Sequence, residues 1–321
     1  MQTDAFIERV RQATQIASSD EDWSDSAVLA EAQQCIQERF SQPLVNARSG
    51  YWLYVQDSTT VPGQSFYRIP PRAIVQGLEL FCTSLSANPG VSWYQLGVLT
   101  QSQSVDYLQQ QWSGIPQMFA YEADGLVLYP QPQVAQPFQF RFYLRPAALV
   151  LPPGYGQLLS AVSKTQLIVN SPDAGPAPWT AGSKLDIRNL DGSCEAVAID
   201  LTVASVVDGT NVLTLNLSTP LTDDQFSRLR SDSTQAVMTA DTTWVVPLVA
   251  ELCTSLASYT GAVILVDKGD SEKGAQLVSR CESSLRSAID LMIPRVKDRP
   301  YVVVTRGTYL RRRVGFRRGW R

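Results

Sequence analysis

The spacing of apolar residues changes twice along this chain, and that change constrains the fold more than any single motif. A helical period opens the sequence, an alternating period fills the middle, and a helical period returns before the end. Residues 4–18 place Phe6, Ile7, Val10, Ala13 and Ala17 on one helical face, with Thr3 or Asp4 available as N-cap. The acidic segment SSDEDWSDS lacks the spacing of a calcium loop and reads as a solvated capping loop. From Ser24 a second helix aligns Val28, Ala32, Cys35, Ile36 and Phe40, so the chain opens with an αα-hairpin.

Period two takes over from Tyr51. The runs WLYV, SFYRI, SWYQLGVL, MFAYEA, LVLYP and FQFRFYL are separated by Pro-Gly, Asn-Pro-Gly and Asp-Gly turns, with a short helix predicted near Ser104 to Gln111. A second β region runs from Leu151 to about Thr222. There Leu185 and Ile187, then Val197, Ile199, Leu201 and Val203, then Leu213, Leu215 and Leu217 alternate, with a hairpin turn expected at Asp208-Gly209. Helix returns around Val245 to Ser258, the run GAVILV (residues 261–266) reads as a strand, and a longer helix starts near Asp270 or Ser271. In that last helix Val278, Cys281, Leu285, Ala288 and Met292 repeat in threes and fours, and Pro294 marks its stop.

These elements predict an α+β protein in which a helical bundle is formed by both chain ends, residues 1–48 and 243–295. An antiparallel β module occupies 49–150, an inserted small β-barrel or sandwich 151–242, and an extended basic tail 296–321.

Composition narrows the function. The chain has no histidine, which removes the commonest general base near neutral pH and the commonest metal ligand. Cys35, Cys82, Cys194, Cys253 and Cys281 are odd in number and show no C-x-x-C spacing, so reduced buried thiols of a cytosolic protein are expected. No nucleophile elbow, phosphate loop, zinc-protease or dinucleotide motif occurs. KGDSEKG (268–274) is a helix entry, and Asp223 and Asp224 suit a loop or first helical turn. The expectation is therefore a non-enzyme with no cofactor and no metal. The charged N-terminus implies no export signal, and Thr242 to Val266, interrupted by Pro247, is read as buried rather than membrane-spanning.

Charge is unevenly placed. The last sixteen residues hold seven arginines and no acid, which leaves 20 basic against 30 acidic residues elsewhere, a net charge of −10. In YVVVTRGTYLRRRVGFRRGWR, aromatic residues interleave with arginines. The candidate docking residues are Tyr309, Arg311, Arg312, Arg313, Phe316, Arg317, Arg318, Trp320 and Arg321. Such a segment suits either phosphates and stacked bases or carboxylates and apolar pockets on a protein. Composition alone leaves these partners balanced. A DNA-binding packaging or completion factor, and a carbohydrate-binding or fibre-attachment module, remain the alternative readings.

The stretch YRIPPRAIVQGLELF (67–81), followed by residues 104–150, resembles the β module of head-to-tail adaptors, the neck proteins of tailed bacteriophages. In those proteins an R-[IL]-P-x-R-A segment precedes a helix and three patterned strands. The matching residues here are Arg68 to Ala73, Pro116 to Gly125, Leu126 to Pro132 and Phe140 to Pro146. Residues 246–321 resemble the C-terminal end of such adaptors, whereas 151–240 looks like an addition. The resemblance implies a virion protein of the neck, assembled in the host cytoplasm. It further implies a ring of about twelve copies that docks through its C-terminal segment on the portal protein. A tail-side neck, tube or nozzle protein would be the other partner, with double-stranded DNA passing through without sequence-specific binding and no membrane involved.

Overall fold

The computed structural model describes residues 1–17, 20, 22–47, 52–83, 93–100, 113–171, 179–190, 196–209, 211–230 and 234–292. It is a mixed helix and strand protein, as expected. Helix α1 (Thr3–Thr14) buries Thr3, Phe6, Ile7, Val10 and Thr14. It stops short of the expected residue 18 because Gln15 takes a left-handed φ of 58°. Thr3 is not a cap: its hydroxyl donates to the Val150 carbonyl at 2.7 Å, tying the helix start to distant chain. Helix α2 (Asp25–Cys35) is capped by Ser24, whose Oγ accepts from the Ala27 amide. It continues through a π-helical turn (Ile36–Phe40) into α3 (Ser41–Ala47). Arg11 closes the α1–α2 hairpin, donating to the Ala17 and Trp23 carbonyls and pairing with Asp25 at 2.7 Å.

Ten strands follow: β1 (Leu53–Thr59), β2 (Phe66–Arg68), β3 (Ala73–Thr83), β4 (Trp93–Gln95), β5 (Gly97–Val98), β6 (Ser113–Gly114), β7 (Met118–Glu122), β8 (Gly125–Tyr129), β9 (Gln131–Pro132) and β10 (Pro137–Leu144). They build sheets of order β1-β10-β3-β4 and β2-β8-β7-β5, curled into a half-barrel, with β6 and β9 as a small pair. Alternation in β10 sends Phe138, Phe140, Phe142 and Leu144 into a core shared with Tyr54, Leu80, Cys82, Phe119, Leu126 and Leu128. The three patterned segments of the resemblance fall on β7, β8–β9 and β10. The helix implied after Arg68–Ala73 is instead strand β3. Its alternation is broken by a bulge at Gly77 (φ 84°), where the register against β10 shifts and an added Cβ would meet the Tyr143 ring at 2.9 Å. The helix predicted at 104–111 lies outside the described residues.

A short parallel pair, β11 (Ala148–Leu149) with β18 (Thr242–Thr243), flanks a six-stranded antiparallel sheet. The sheet contains β12 (Leu158–Ser163), β13 (Gln166–Asn170), β14 (Lys184–Asn189), β15 (Ala196–Gly209), β16 (Val212–Leu217) and β17 (Gln235–Thr239) in the order β12-β13-β16-β15-β14-β17. Leu213, Leu215 and Leu217 are buried as their alternation predicts. Gly209 pairs with Val212, so Asp208-Gly209 ends a strand and the hairpin turns one step later, with Asn211 at φ 61°. The short helix α4 (Asp223–Ser227) carries Asp223 and Asp224 in its first turn, behind a capping box of Thr222 and Gln225.

Two long helices complete the described chain: α5 (Ala250–Asp267) and α6 (Ser271–Met292). The run GAVILV is therefore not a strand but the second half of α5. A β-branched segment stays helical here because burial against α1 and α6 outweighs its weak propensity. Gly269 (φ 86°) ends α5, and Asp270 opens α6 through its Oδ1, which accepts from the Lys273 amide. Helices α1 and α2 pack on α5, and α3 packs against α6. One hydrophobic cluster joins Phe6, Val10, Leu29, Phe40 and Leu44 to Leu252, Leu256, Ile264, Cys281 and Ala288. None of the described helices is long and apolar enough to cross a membrane.

Candidate docking site

The nine tail residues proposed to dock, Tyr309, Arg311, Arg312, Arg313, Phe316, Arg317, Arg318, Trp320 and Arg321, lie outside the described residues. Their root is described. Ser284 on α6 meets Ser255 on α5 at 3.0 Å, and Cys281 donates to the Ser255 carbonyl. The antiparallel helices therefore bring Met292 back to the level of the α5 start. There the Trp52 indole donates to the Pro247 carbonyl at 3.3 Å, immediately before β1.

What the structure brings together at the motif Arg68–Ala73 is a charge cluster. Arg68 is exposed and lies 3.7 Å from Asp124. Arg72 is buried, and its Nη1 donates to Asp186 on β14 at 2.8 Å. Asp200 and Asp241 lie 3.8 and 3.1 Å from the same guanidinium, and Arg188 holds the other Asp186 oxygen at 2.9 Å. Burial pushes the Asp186 pKa up, but the Arg72 hydrogen bond and the Arg188 and Arg72 charges outweigh it, leaving the carboxyl below its ordinary value. Arg72 is correspondingly held above its ordinary value by the carboxylates in spite of burial.

Sequence reasoning missed this cluster because alternation puts Asp186 and Arg188 on an outer face. In the fold β14 is covered on both sides: Leu185, Asp186 and Ile187 are all 0% exposed. The available signal was a pair of opposite charges, Asp186 and Arg188, inside an otherwise apolar strand. Asp200 has φ 54° at a bulge in β15 that shifts the register against β14 and turns Ile199 toward the aromatic core of the half-barrel.

Beside this junction runs a cleft of about 580 Å³ between β1 and α4, lined by Val55, Arg141, Ala196, Asp224, Gln225 and Arg228 among others. Tyr54 closes its floor, its hydroxyl accepting from Gln225 Nε2 at 3.1 Å. Burial raises the Tyr54 pKa, so the phenol stays neutral. On the outer side of β10, Arg141 stacks over Phe81 at 4.0 Å from the ring centre and donates to Gln139, which in turn donates to Asp57. Cys35 is pushed up to about 12 and Cys82, Cys253 and Cys281 to about 11 by burial, so these thiols are inert packing groups. Cys194 lies outside the described residues.

The structure is thus a half-barrel of antiparallel sheet beside a helical layer, joined to a second sheet through a buried charge cluster. The model of the SU10 adaptor protein family matches residues 1–174, more than half of the chain. The chain belongs to that family. The match runs from α1 through β13, so it includes residues 151–174, where an added region was expected, and it stops short of the C-terminal helices that resembled adaptors. No curated protein matches the chain.

Proposed function

We propose that this protein forms the neck ring of a tailed phage, bridging the portal at the capsid vertex to the tail and continuing the DNA exit channel. The observation that carries this reading is membership of the adaptor family. In this reading the ends of the chain, 1–48 and 243–295, make the helical bundle of the ring wall, about twelve copies closing through head-to-tail contacts. The β module 49–150 and the inserted β domain 151–242 face outward or toward a tail-side neck, tube or nozzle protein. The body's charge of −10 repels DNA phosphate, which suits a channel that passes DNA without gripping it.

The tail anchors the ring to the portal. Tyr309, Phe316 and Trp320 fill apolar pockets and the arginines pair with carboxylates, and repetition around the ring turns weak contacts into a stable joint. Light scattering tests this directly, with the full chain and a chain ending at Asp298 each mixed with the portal protein of the same phage. The expected result is a many-copy complex that disappears on truncation. Undiminished portal binding by the truncated chain removes the tail as anchor, and no binding by either removes the neck reading.

A further inference from the structure

Two irregular turns of the backbone border the same cavity. The first is the π-helical turn Ile36–Phe40 that joins α2 to α3. Pro43 has no amide to offer the Arg39 carbonyl, and its ring crowds that carbonyl, so the helix widens just before it. The Ser41 amide then bonds to the Ile36 carbonyl, to which the Ser41 hydroxyl also donates at 2.8 Å. The second is the bulge of β3 at Gly77, where a positive φ and a missing Cβ let the Tyr143 ring lie against bare backbone. Both kinds of irregularity concentrate beside functional sites, where they re-aim side chains. Between these two lies a cavity of about 370 Å³. Val45 of α3 faces Ile74, Gly77 and Tyr143 of the half-barrel across it, with Ser41, Gln42 and Asn46 as its polar lining.

We propose that this cavity takes one neutral aromatic ring, presented as a side chain by a neighbouring head or tail protein. Its volume lies at the low end of the roughly 300–1,000 Å³ of small-ligand sites, which suits a single ring. Val45 and Ile74 supply apolar contact, and the Tyr143 ring supplies an aromatic partner. Ser41, Gln42 and Asn46 can bond the hydroxyl of a phenol or the N–H of an indole. Part of that lining is already ordered, because Gln42 donates to the Asn46 carboxamide at 3.1 Å. None of the described lining residues is charged, so an ionised ligand meets no counter-charge there. Aromatic anchors in such pockets are the usual centres of protein interfaces. The choice of a protein neighbour rests on the adaptor reading, whereas the preference for a neutral ring does not.

The test titrates the full chain with p-cresol and with indole, the free tyrosine and tryptophan rings, and follows the methyl resonances of Val45 and Ile74. Both rings should shift them, and benzoate, a ring that carries a charge, should bind at least about tenfold more weakly. Val45→Phe fills the cavity from the helix and Ile74→Phe from the strand. Either variant, if it melts cooperatively, should lose ring binding. No shift with either ring, equal binding of benzoate, or binding retained in a cooperatively folded filled variant overturns the site. The neighbour is tested in assembled particles carrying Asn46→p-benzoylphenylalanine. The cross-link should map to an aromatic-bearing segment of a head or tail protein. Cross-links confined to this chain or to a second copy overturn that occupant. Ring binding does not involve the portal, so failure of this site and failure of the neck reading in light scattering are separate results.

Discussion

Arg72 shows how much one side chain can decide in this protein. It belongs to the half-barrel by sequence, yet its partners Asp186, Asp200 and Asp241 belong to the six-stranded sheet and its exit. Replacing it with methionine leaves Asp186 fully buried with Arg188 as its remaining cationic partner, beside the Asp200 and Asp241 amides. The expected loss is about 3 kcal/mol, the lower end for a broken buried pair because one partner remains. Urea denaturation measures it, and adding Asp186→Asn should recover part of the loss by removing the uncompensated charge. The pH dependence follows from the depressed Asp186 pKa. Its stabilisation is present above the unfolded value of about 3.9 and is lost as pH falls through the lower folded value, so the unaltered protein loses stability there. Arg72→Met should flatten that acid limb, whereas the raised Arg72 pKa matters only far above neutral pH. The thiols give a second residue-scale expectation. With four of the five cysteines buried and their pKa values near 11 or 12, no more than one thiol per native chain should react with iodoacetamide at pH 8. All five should react in denaturant, as mass spectrometry can count.

Among the elements, the helices depend on glycines for their approach. A Cβ on Gly274 would stand 2.6 Å from Val266 Cγ2 and 3.0 Å from the Ala262 carbonyl, and one on Gly261 would stand 3.0 Å from Thr14 Cγ2. Gly274→Ala gains up to about 1 kcal/mol of helix propensity. The clash includes backbone that cannot swing away, so a net destabilisation of about 1–2 kcal/mol is expected in thermal unfolding. Val266→Ala in the same chain should relieve part of it. The element scale is also where the sequence was most and least readable. Helices α1, α2 and α6 and strands β10 and β16 carry an unbroken period, and periodicity finds them, whereas β7 and β8 are legible as short apolar runs on either side of an Asp-Gly turn. Strand β3 escaped because Gly77 and its bulge break the alternation, and the end of α5 was misread because Val263, Ile264 and Val266 favour strands when packing is ignored. The charge cluster was hidden for a related reason. Alternation assumes one wet face, and β14 has none.

At the scale of the whole molecule, the boundary of the family match has a physical consequence. The matched residues 1–174 end after β13, whose next neighbour in the sheet is β16, and they omit α5 and α6, on which the first helices pack. Phe6, Val10, Leu29 and Phe40, at 0–2% exposure, belong to a cluster that the C-terminal helices help to close, and Arg72 would lose all three of its carboxylate partners. A chain of residues 1–174 therefore exposes an apolar helical face and an open sheet edge together. It should aggregate or unfold without a cooperative transition, whereas the full chain should melt cooperatively. Circular dichroism melts of the two chains decide the matter. An independent, cooperative transition in the fragment would mean that the common core of the family stands without residues 175–321. Its absence would mean that this half, although the family model does not reach it, folds as one body with the rest.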